Sequence, residues 1–191
     1  MKLFNKKAVL LVPIVLVLML SGCASLHGAK KLKKVYVTNR KAVELLPLEF
    51  AGEGQEALYE LTAVAGGETF SMLLYMQSDN ESLSVDFLNS FGTTMGTLFY
   101  DGSSVESEIA FMPAKIPPEY LVFDLQLLFY DDAAVKARLE NAGLKCSIDG
   151  TGNFVIADGE KQVVVISGDS DSTVTLKNLL RGYEYSLTKA E

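Results

Sequence analysis

The chain has 191 residues, with 17 basic and 24 acidic side chains. This length suits one domain, and removal of residues 1–22 leaves 169 residues with a net charge of −10. The acidity lies from Ala42 onward, where eight basic residues accompany all 24 acidic ones. Such a domain repels a phosphate backbone, so nucleic acid is excluded as a partner.

The N-terminus has the order of features found in a bacterial lipoprotein signal sequence. A basic start (Lys2, Lys6, Lys7) precedes an apolar run over residues 8–20, and Leu20-Ser21-Gly22-Cys23 follows at once. The run is shorter than the ~20 residues that a membrane-spanning helix needs. The sequence therefore predicts that residues 1–22 are a signal peptide and that Cys23 becomes the acylated N-terminus of the mature protein.

Residues 23–41 are predicted to form the lipidated cysteine and a basic tether, ahead of a domain over residues 42–191. The tether's lysines favour either contact with anionic headgroups or a role as a solvated spacer, and the sequence leaves these open. Ala24 follows the cysteine where an Asp would favour retention in the inner membrane. We therefore expect a lipid anchor in the outer membrane, with the domain facing the periplasm.

The domain begins with five segments that alternate apolar and polar residues. This pattern predicts an antiparallel meander with one face of the sheet exposed to solvent. The predicted strands cover residues 56–64, 68–77, 81–89, 93–100 and 104–111. Five more are predicted near the C-terminus, at residues 144–148, 153–157, 162–167, 173–177 and 183–188. Glycines mark the turns between them.

Two helices are predicted between these groups of strands. Residues 119–129 are apolar almost all round and follow Pro117-Pro118, a typical helix start. Asp131 or Asp132 can cap a second helix over residues 133–142, which Gly143 ends. The predicted fold is mainly β with two helices (α+β): a curled antiparallel sheet, or incomplete barrel, of about ten strands that encloses the first helix.

An apolar stripe on the strands is predicted to face the first helix, together with three of the helix's own residues. Its members are the candidate lipid-binding residues Phe70, Met72, Leu74, Met76, Leu83, Val85, Phe87, Met95, Phe99, Ile109, Phe111, Tyr120, Phe123 and Leu127. A solidly packed core and a ligand cavity both explain this stripe. Asp124 is the unusual carboxylate on that helix, and its position favours a hydrogen-bonded core group, or one at the rim of the core, over a functional role.

No residue pattern predicts catalysis, a metal site or a cofactor. The single histidine, His27, lies in the tether, which excludes a histidine triad or a multi-histidine zinc site within the domain. Gly168-Asp169-Ser170-Asp171 lacks the later glutamate of a calcium loop, so a turn is predicted. Cys146 is predicted to be a small buried hydrophobe. We therefore expect a protein that is not an enzyme.

Several short motifs resemble those of a family of small bacterial lipoproteins in the LolA/LolB superfamily. The resemblance covers about residues 44–188 and depends on the order and spacing of its motifs. They are Leu46-Pro47, Gln55, Leu98-Phe99-Tyr100-Asp101-Gly102, Asp124-Leu125-Gln126-Leu127, Val174-Thr175-Leu176-Lys177-Asn178 and Gly182-Tyr183.

The resemblance implies an incomplete barrel with a helical lid that holds acyl chains, and an association with aryl-polyene lipids. Two features depart from the pattern: the hairpins are short where LolB projects a long loop, and Phe129-Tyr130-Asp131 replaces an aromatic-Pro pair. The expected function is the binding or placing of lipid, aryl-polyene or lipoprotein acyl chains. The alternative is a non-catalytic interaction module that binds an envelope protein.

Overall fold

The computed structural model describes residues 33–51, 54–109 and 116–190. The predicted signal peptide, Cys23, most of the predicted tether and Phe111 lie outside the described residues. Residues 31–191 belong to one folded unit.

The described residues form twelve strands and two α-helices. In chain order these are β1 (Lys34–Tyr36), β2 (Ala42–Glu44), β3 (Gln55–Ala65), β4 (Glu68–Ser78), β5 (Leu83–Leu88), β6 (Thr94–Tyr100), β7 (Val105–Ile109), α1 (Pro118–Phe129), α2 (Asp132–Asn141), β8 (Lys145–Ile148), β9 (Phe154–Asp158), β10 (Lys161–Gly168), β11 (Thr173–Asn178) and β12 (Tyr183–Lys189). A short 3-10 helix covers Leu48–Phe50.

Ten strands pair in a single antiparallel sheet that is not closed. Its order is β7-β6-β5-β4-β3-β12-β11-β10-β9-β8, so the chain's first and last groups of strands meet where β3 pairs with β12. Helix α1 contacts β7 in one half of the sheet and β11 in the other. The predicted mainly β fold, with ten strands around an apolar helix, is confirmed at this level.

Both predicted helices are confirmed, with bounds within a residue of those expected. Pro118 occupies the first turn of α1, where its missing N–H removes no helical hydrogen bond. Asp131 caps α2, because its Oδ1 accepts a 2.8 Å hydrogen bond from the backbone N–H of Ala134. Gly143 follows with a φ of +79°, a left-handed conformation that suits glycine at a helix end.

The predicted facing of β6 is wrong. Met95 and Phe99 were expected on the inner face, but they are 46% and 40% exposed, whereas Leu98 and Tyr100 are buried. Pairing of Leu98 with Val85 on β5 places Leu98 on the buried face. Because β6 has apolar residues on both faces, its alternation is compatible with either orientation, and only the strand register decides between them.

The folded unit begins earlier than the expected boundary at Ala42. Strands β1 and β2 pair with each other, and Val35 is fully buried. Lys41, expected in the tether, donates hydrogen bonds to the Gly143 carbonyl and to Asp158 Oδ1. The apolar residues of this segment alternate with other residues along the chain and are all buried: Val35, Val37, Val43 and Leu45. Because basic residues lie among them, the sequence favoured a tether over a pair of strands.

A buried glutamine fastens α1 to the segment that follows β2. Gln126 Oε1 accepts a 2.9 Å hydrogen bond from the Leu46 N–H, and Gln126 Nε2 donates a 2.9 Å bond to the Leu46 carbonyl. The Tyr100 hydroxyl donates a 3.0 Å bond to the same carbonyl. The Leu46, Tyr100 and Gln126 motifs, far apart in sequence, therefore meet at one backbone unit.

We predict that Gln126→Ala lowers the free energy of unfolding by about 2–4 kcal/mol, because it leaves the buried Leu46 N–H without its partner. Urea unfolding of wild type and variant measures this loss. Gln77→Ala, at an exposed position on β4, is the control and should change stability by less than about 0.5 kcal/mol. A loss as small as the control's would contradict this role for the amide.

Candidate functional site: an apolar cleft beside helix α1

The candidate site is a cleft between the N-terminal part of α1 and the end of the sheet that carries the β3–β4 turn. We call this end the hairpin end; it also carries the β11–β12 turn, since Tyr183 pairs with Ala65. The lining is almost entirely apolar. It comprises Leu61, Ala63, Val64, Ala65, Phe70, Leu74, Phe87, Ile116, Leu121, Leu125, Tyr183, Glu184 and Tyr185.

The volume of the cleft is about 60 Å³. Small-molecule sites in proteins usually have volumes of about 300–1,000 Å³. In this conformation the cleft therefore accommodates only a few atoms, and α1 fills most of the space that a ligand would need.

The structure brings three of the predicted candidate residues into this cleft: Phe70, Leu74 and Phe87. Met76, Leu83 and Val85 lie deeper and are fully buried in the core, while Met72, Ile109 and Tyr120 are half-buried against it. Phe123 and Leu127 face another side of α1, toward Val135 and Leu139 of α2. The stripe is thus largely packed core, and the cleft occupies its end nearest the β3–β4 turn.

Other lining residues were missed by the sequence analysis. Leu61 and Ala63 alternate along β3, and Tyr183 and Tyr185 alternate along β12, so the same period-two pattern indicates an inner face for each pair. Their pairing across the centre of the sheet was the missing information, because β3 and β12 are about 120 residues apart in sequence. Leu121 and Leu125 lie one turn apart on α1 and form the opposite wall.

A buried acid stands beside the cleft. Asp124 is 1% exposed, and its Oδ2 accepts a 2.6 Å hydrogen bond from the Tyr183 hydroxyl. Asn178 Nδ2 donates a 3.2 Å bond to the same hydroxyl. Among the described residues, no group makes a hydrogen bond of good geometry to Asp124 Oδ1. The Tyr185 hydroxyl interacts with the same carboxyl more weakly, so the expected hydrogen-bonded core carboxyl is held mainly by Tyr183.

Burial controls the ionisation of this acid. It raises the pKa of Asp124 to about 7, because the interior disfavours the charged form, although the Tyr183 hydrogen bond and the Arg181 charge act in the opposite direction. Burial and the nearby Asp124 together raise the pKa of Tyr183, so its hydroxyl remains a donor at neutral pH. Near pH 7 the carboxyl is therefore divided between its neutral and charged forms.

Arg181 lies at the hairpin end and joins three segments of the chain. Its guanidinium is 4.4 Å from the centroid of the Tyr120 ring, a cation–π contact, and it donates a hydrogen bond to the Tyr36 carbonyl. The Tyr120 hydroxyl accepts a 3.3 Å bond from the Tyr36 N–H. These contacts connect β1, the first turn of α1 and the β11–β12 turn.

Cys146 and the turn at Asp169, which the sequence also singled out, make contacts typical of structural groups. Burial raises the pKa of Cys146 to about 11, so its thiol is protonated at neutral pH and packs against the core. Asp169 accepts a 2.9 Å bond from the Asp171 N–H and heads the turn between β10 and β11. Within the described ranges, no three His, Cys, Asp or Glu side chains are grouped so that they could hold a metal ion.

The described residues thus define an open ten-stranded antiparallel sheet around a buried helix, with an apolar cleft at one end. The family model described as "Protein of unknown function (DUF3261)" matches residues 57–191, and the chain belongs to this family. Among curated proteins none matches.

One solved structure that the chain resembles is a DUF1329 family protein from Desulfovibrio piger. The two share 10% sequence identity over 75% of this chain and 87% of that one, with a TM-score of 0.29. In the described part of the chain, no helix has the length and apolar character needed to cross a bilayer.

We predict that Asp124 makes the protein less stable as the pH rises from about 5 to 8. A carboxyl with a folded-state pKa near 7 and an ordinary value of 3.8 in the unfolded chain binds its proton more tightly when folded. This contribution is fully present below pH 4 and is lost as the pH passes through 7. Urea unfolding at pH 5 and pH 8 measures it.

Asp124→Asn is the matching variant, since its amide oxygen still accepts the Tyr183 hydrogen bond but does not titrate. Its stability should vary much less between pH 5 and 8 than that of the wild type. His27, the sequence's only histidine, lies outside the described domain residues and is common to both proteins. Equal pH dependence in the two proteins would mean that Asp124 does not titrate in this range.

Proposed function

We propose that this protein is a membrane-anchored lipoprotein that binds acyl or polyene chains between α1 and the sheet, without catalysing a reaction. The observation that supports this most is the apolar cleft, whose lining contains one charged residue, Glu184. That carboxylate pairs with Lys177 Nζ at 2.8 Å. A hydrocarbon chain would therefore meet carbon surface, and its burial contributes about 25 cal/mol per Å².

Binding requires that α1 and the sheet separate, because the cleft has a volume of only about 60 Å³. The two sides of α1 are held unequally. Gln126 makes two hydrogen bonds to Leu46, whereas Asp124 accepts one short bond from Tyr183 and interacts more weakly with the Tyr185 hydroxyl. We propose that the Asp124 side of α1, which adjoins the cleft, moves away from the sheet when a ligand binds.

The sequence resemblance to the LolA/LolB superfamily supports the same function. A half-barrel with a helical lid for acyl chains, a lipidated Cys23, and a site in the outer membrane facing the periplasm belong to this proposal. So does the association with aryl-polyene lipids. The open sheet and its enclosed helix agree with the coarse architecture that this resemblance implies.

An interaction module for an envelope protein is the second candidate. The observation in its favour is a polar groove of about 670 Å³ at the end of the sheet opposite the hairpin end. Glu56, Asp131, Asp132 and Asp171 line it beside Lys189. A basic partner segment would suit this surface, and its binding would not depend on the apolar cleft.

We predict that Ala63→Leu weakens uptake of a fluorescent fatty acid by residues 31–191 about tenfold or more, because three added carbon atoms occupy the small cleft. Thr62→Leu is the matched control: it is the neighbouring residue on β3 and faces outward. Fluorescence titration measures both. Absence of uptake by the wild type, or equal uptake by the Ala63→Leu variant, would contradict the lipid-binding proposal and leave the envelope-protein module as the better candidate.

We also predict that Cys23→Ser abolishes acylation and releases the protein from membranes. Mass spectrometry of the N-terminal peptide should show a cleaved, acylated Cys23 in the wild type and an unacylated peptide in the variant. Fractionation should move the variant to the soluble fraction. A wild-type protein that carries no acyl chain would contradict the anchor while leaving the cleft's function to be judged separately.

A further inference from the structure

The exposed apolar side chains gather at the hairpin end. Among the described residues seven large apolar side chains are exposed, and five of them lie at or near this end of the sheet. These five are Tyr36, Val64, Phe91, Met95 and Leu179. Val64 is the penultimate residue of β3, Leu179 lies in the β11–β12 turn, and Met95 lines a surface groove with Glu68 and Phe70 of β4.

Phe91 is the most exposed of them, at 91%, and its turn is fixed by hydrogen bonds. Asn89 Oδ1 accepts bonds from the N–H groups of Phe91, at 2.9 Å, and Thr93, at 3.0 Å. Gly92 adopts a φ of +77° and donates a 2.9 Å bond to the Asn89 carbonyl. An ordered turn thus presents an aromatic ring to solvent, where it has no packing that would explain it.

Charge distinguishes the two ends of the sheet. At the opposite end four turns begin with an aspartate that accepts backbone N–H groups: Asp79, Asp101, Asp149 and Asp169. The acidic groove that Asp131 and Asp132 line is at that end too. The turn that carries Phe91 begins instead with the neutral Asn89.

At the hairpin end, acidic and basic side chains are balanced. Ion pairs join Lys33 to Glu119 at 3.6 Å, Lys41 to Asp158 at 2.6 Å and Lys145 to Glu160 at 3.4 Å. Arg181 and Lys161 offset Glu68, which adjoins the β3–β4 turn. An anionic lipid surface would therefore repel the opposite end far more strongly than this one.

The length of the chain before the described domain favours the same end. Lys33 pairs with Glu119 in the first turn of α1, so the described chain starts at the hairpin end. Lys33 is ten positions after Cys23, and ten steps along an extended chain span at most about 36 Å. The eleven residues of β3 already extend about 36 Å from one end of the sheet to the other. A bilayer at the opposite end would require that whole connection to be fully stretched.

We propose that the hairpin end faces the bilayer that holds the Cys23 anchor and that Phe91 enters the membrane interface. This inference rests on the lipid anchor of the proposed function and is independent of what the cleft binds. Aromatic rings favour the interface of a bilayer. The cleft would then open toward the lipid, because Val64, Ala65 and Tyr183 at its rim belong to the same end.

The absence of tryptophan from the sequence allows a direct test, because a single introduced indole is then the only one in the protein. The full-length acylated protein is reconstituted into vesicles of phosphatidylethanolamine and phosphatidylglycerol, with or without brominated acyl chains, as the variants Phe91→Trp and Asn80→Trp. Asn80 is the matched control, an exposed turn residue beyond the other end of β5. We expect brominated lipid to quench the Phe91→Trp variant severalfold more than the Asn80→Trp variant, with blue-shifted emission for the Phe91→Trp variant only.

Equal quenching of the two variants, stronger quenching of the Asn80→Trp variant, or no quenching of either in vesicles that carry the protein would overturn the proposal. Quenching of the Phe91→Trp variant that disappears when Ala63→Leu fills the cleft would also overturn it, because it would report a bound lipid and not the bilayer. Flotation of the protein together with the vesicles is measured separately. If the wild-type protein does not float with them, the anchor fails and this orientation fails with it.

Discussion

The fold depends on how α1 is held inside the sheet. The helix carries two buried polar side chains two positions apart, Asp124 and Gln126, which places them about 200° apart around its axis. Gln126 bonds to Leu46 on one side, and Asp124 bonds to Tyr183 on the other. Since both pairs are buried, α1 cannot move away from the segment after β2 or from β12 without breaking these bonds or exposing them to water.

These two sets of hydrogen bonds also explain why the short motifs singled out in the sequence are spread along the chain. Leu46, Tyr100 and Gln126 come from three motifs and meet at one backbone unit. Asp124 comes from the same helical motif as Gln126, and it forms a second chain of bonds with Tyr183 and Asn178, which come from two further motifs. These five motifs are therefore points at which the N-terminal segment, both halves of the sheet and the helix are joined.

The buried hydrogen bonds on the two sides of α1 are not equally favourable. Gln126 uses both its amide oxygen and its amide nitrogen, whereas Asp124 is a carboxyl whose pKa burial raises to about 7 and which has one short hydrogen bond, from Tyr183. The Asp124 side of α1 is therefore held more weakly, and it is the side that adjoins the apolar cleft. The lipid-binding proposal depends on this difference: a small apolar cleft lies beside the side of α1 that we propose to be displaced at lower cost.

The sequence by itself determined the local structure: the ten strands of the sheet, both helices and the buried character of α1. Period-two alternation, Pro118 and the Asp131 cap act within a few residues, so they can be read from the chain. The tertiary structure decided what depends on distant partners. Register with β5 turned Met95 and Phe99 outward, and the pairing of β3 with β12 brought Ala63 and Tyr183 to one cleft. Packing of α1 then reduced that cleft to about 60 Å³, because the volume left between two apolar surfaces is set by how closely they approach and not by their composition.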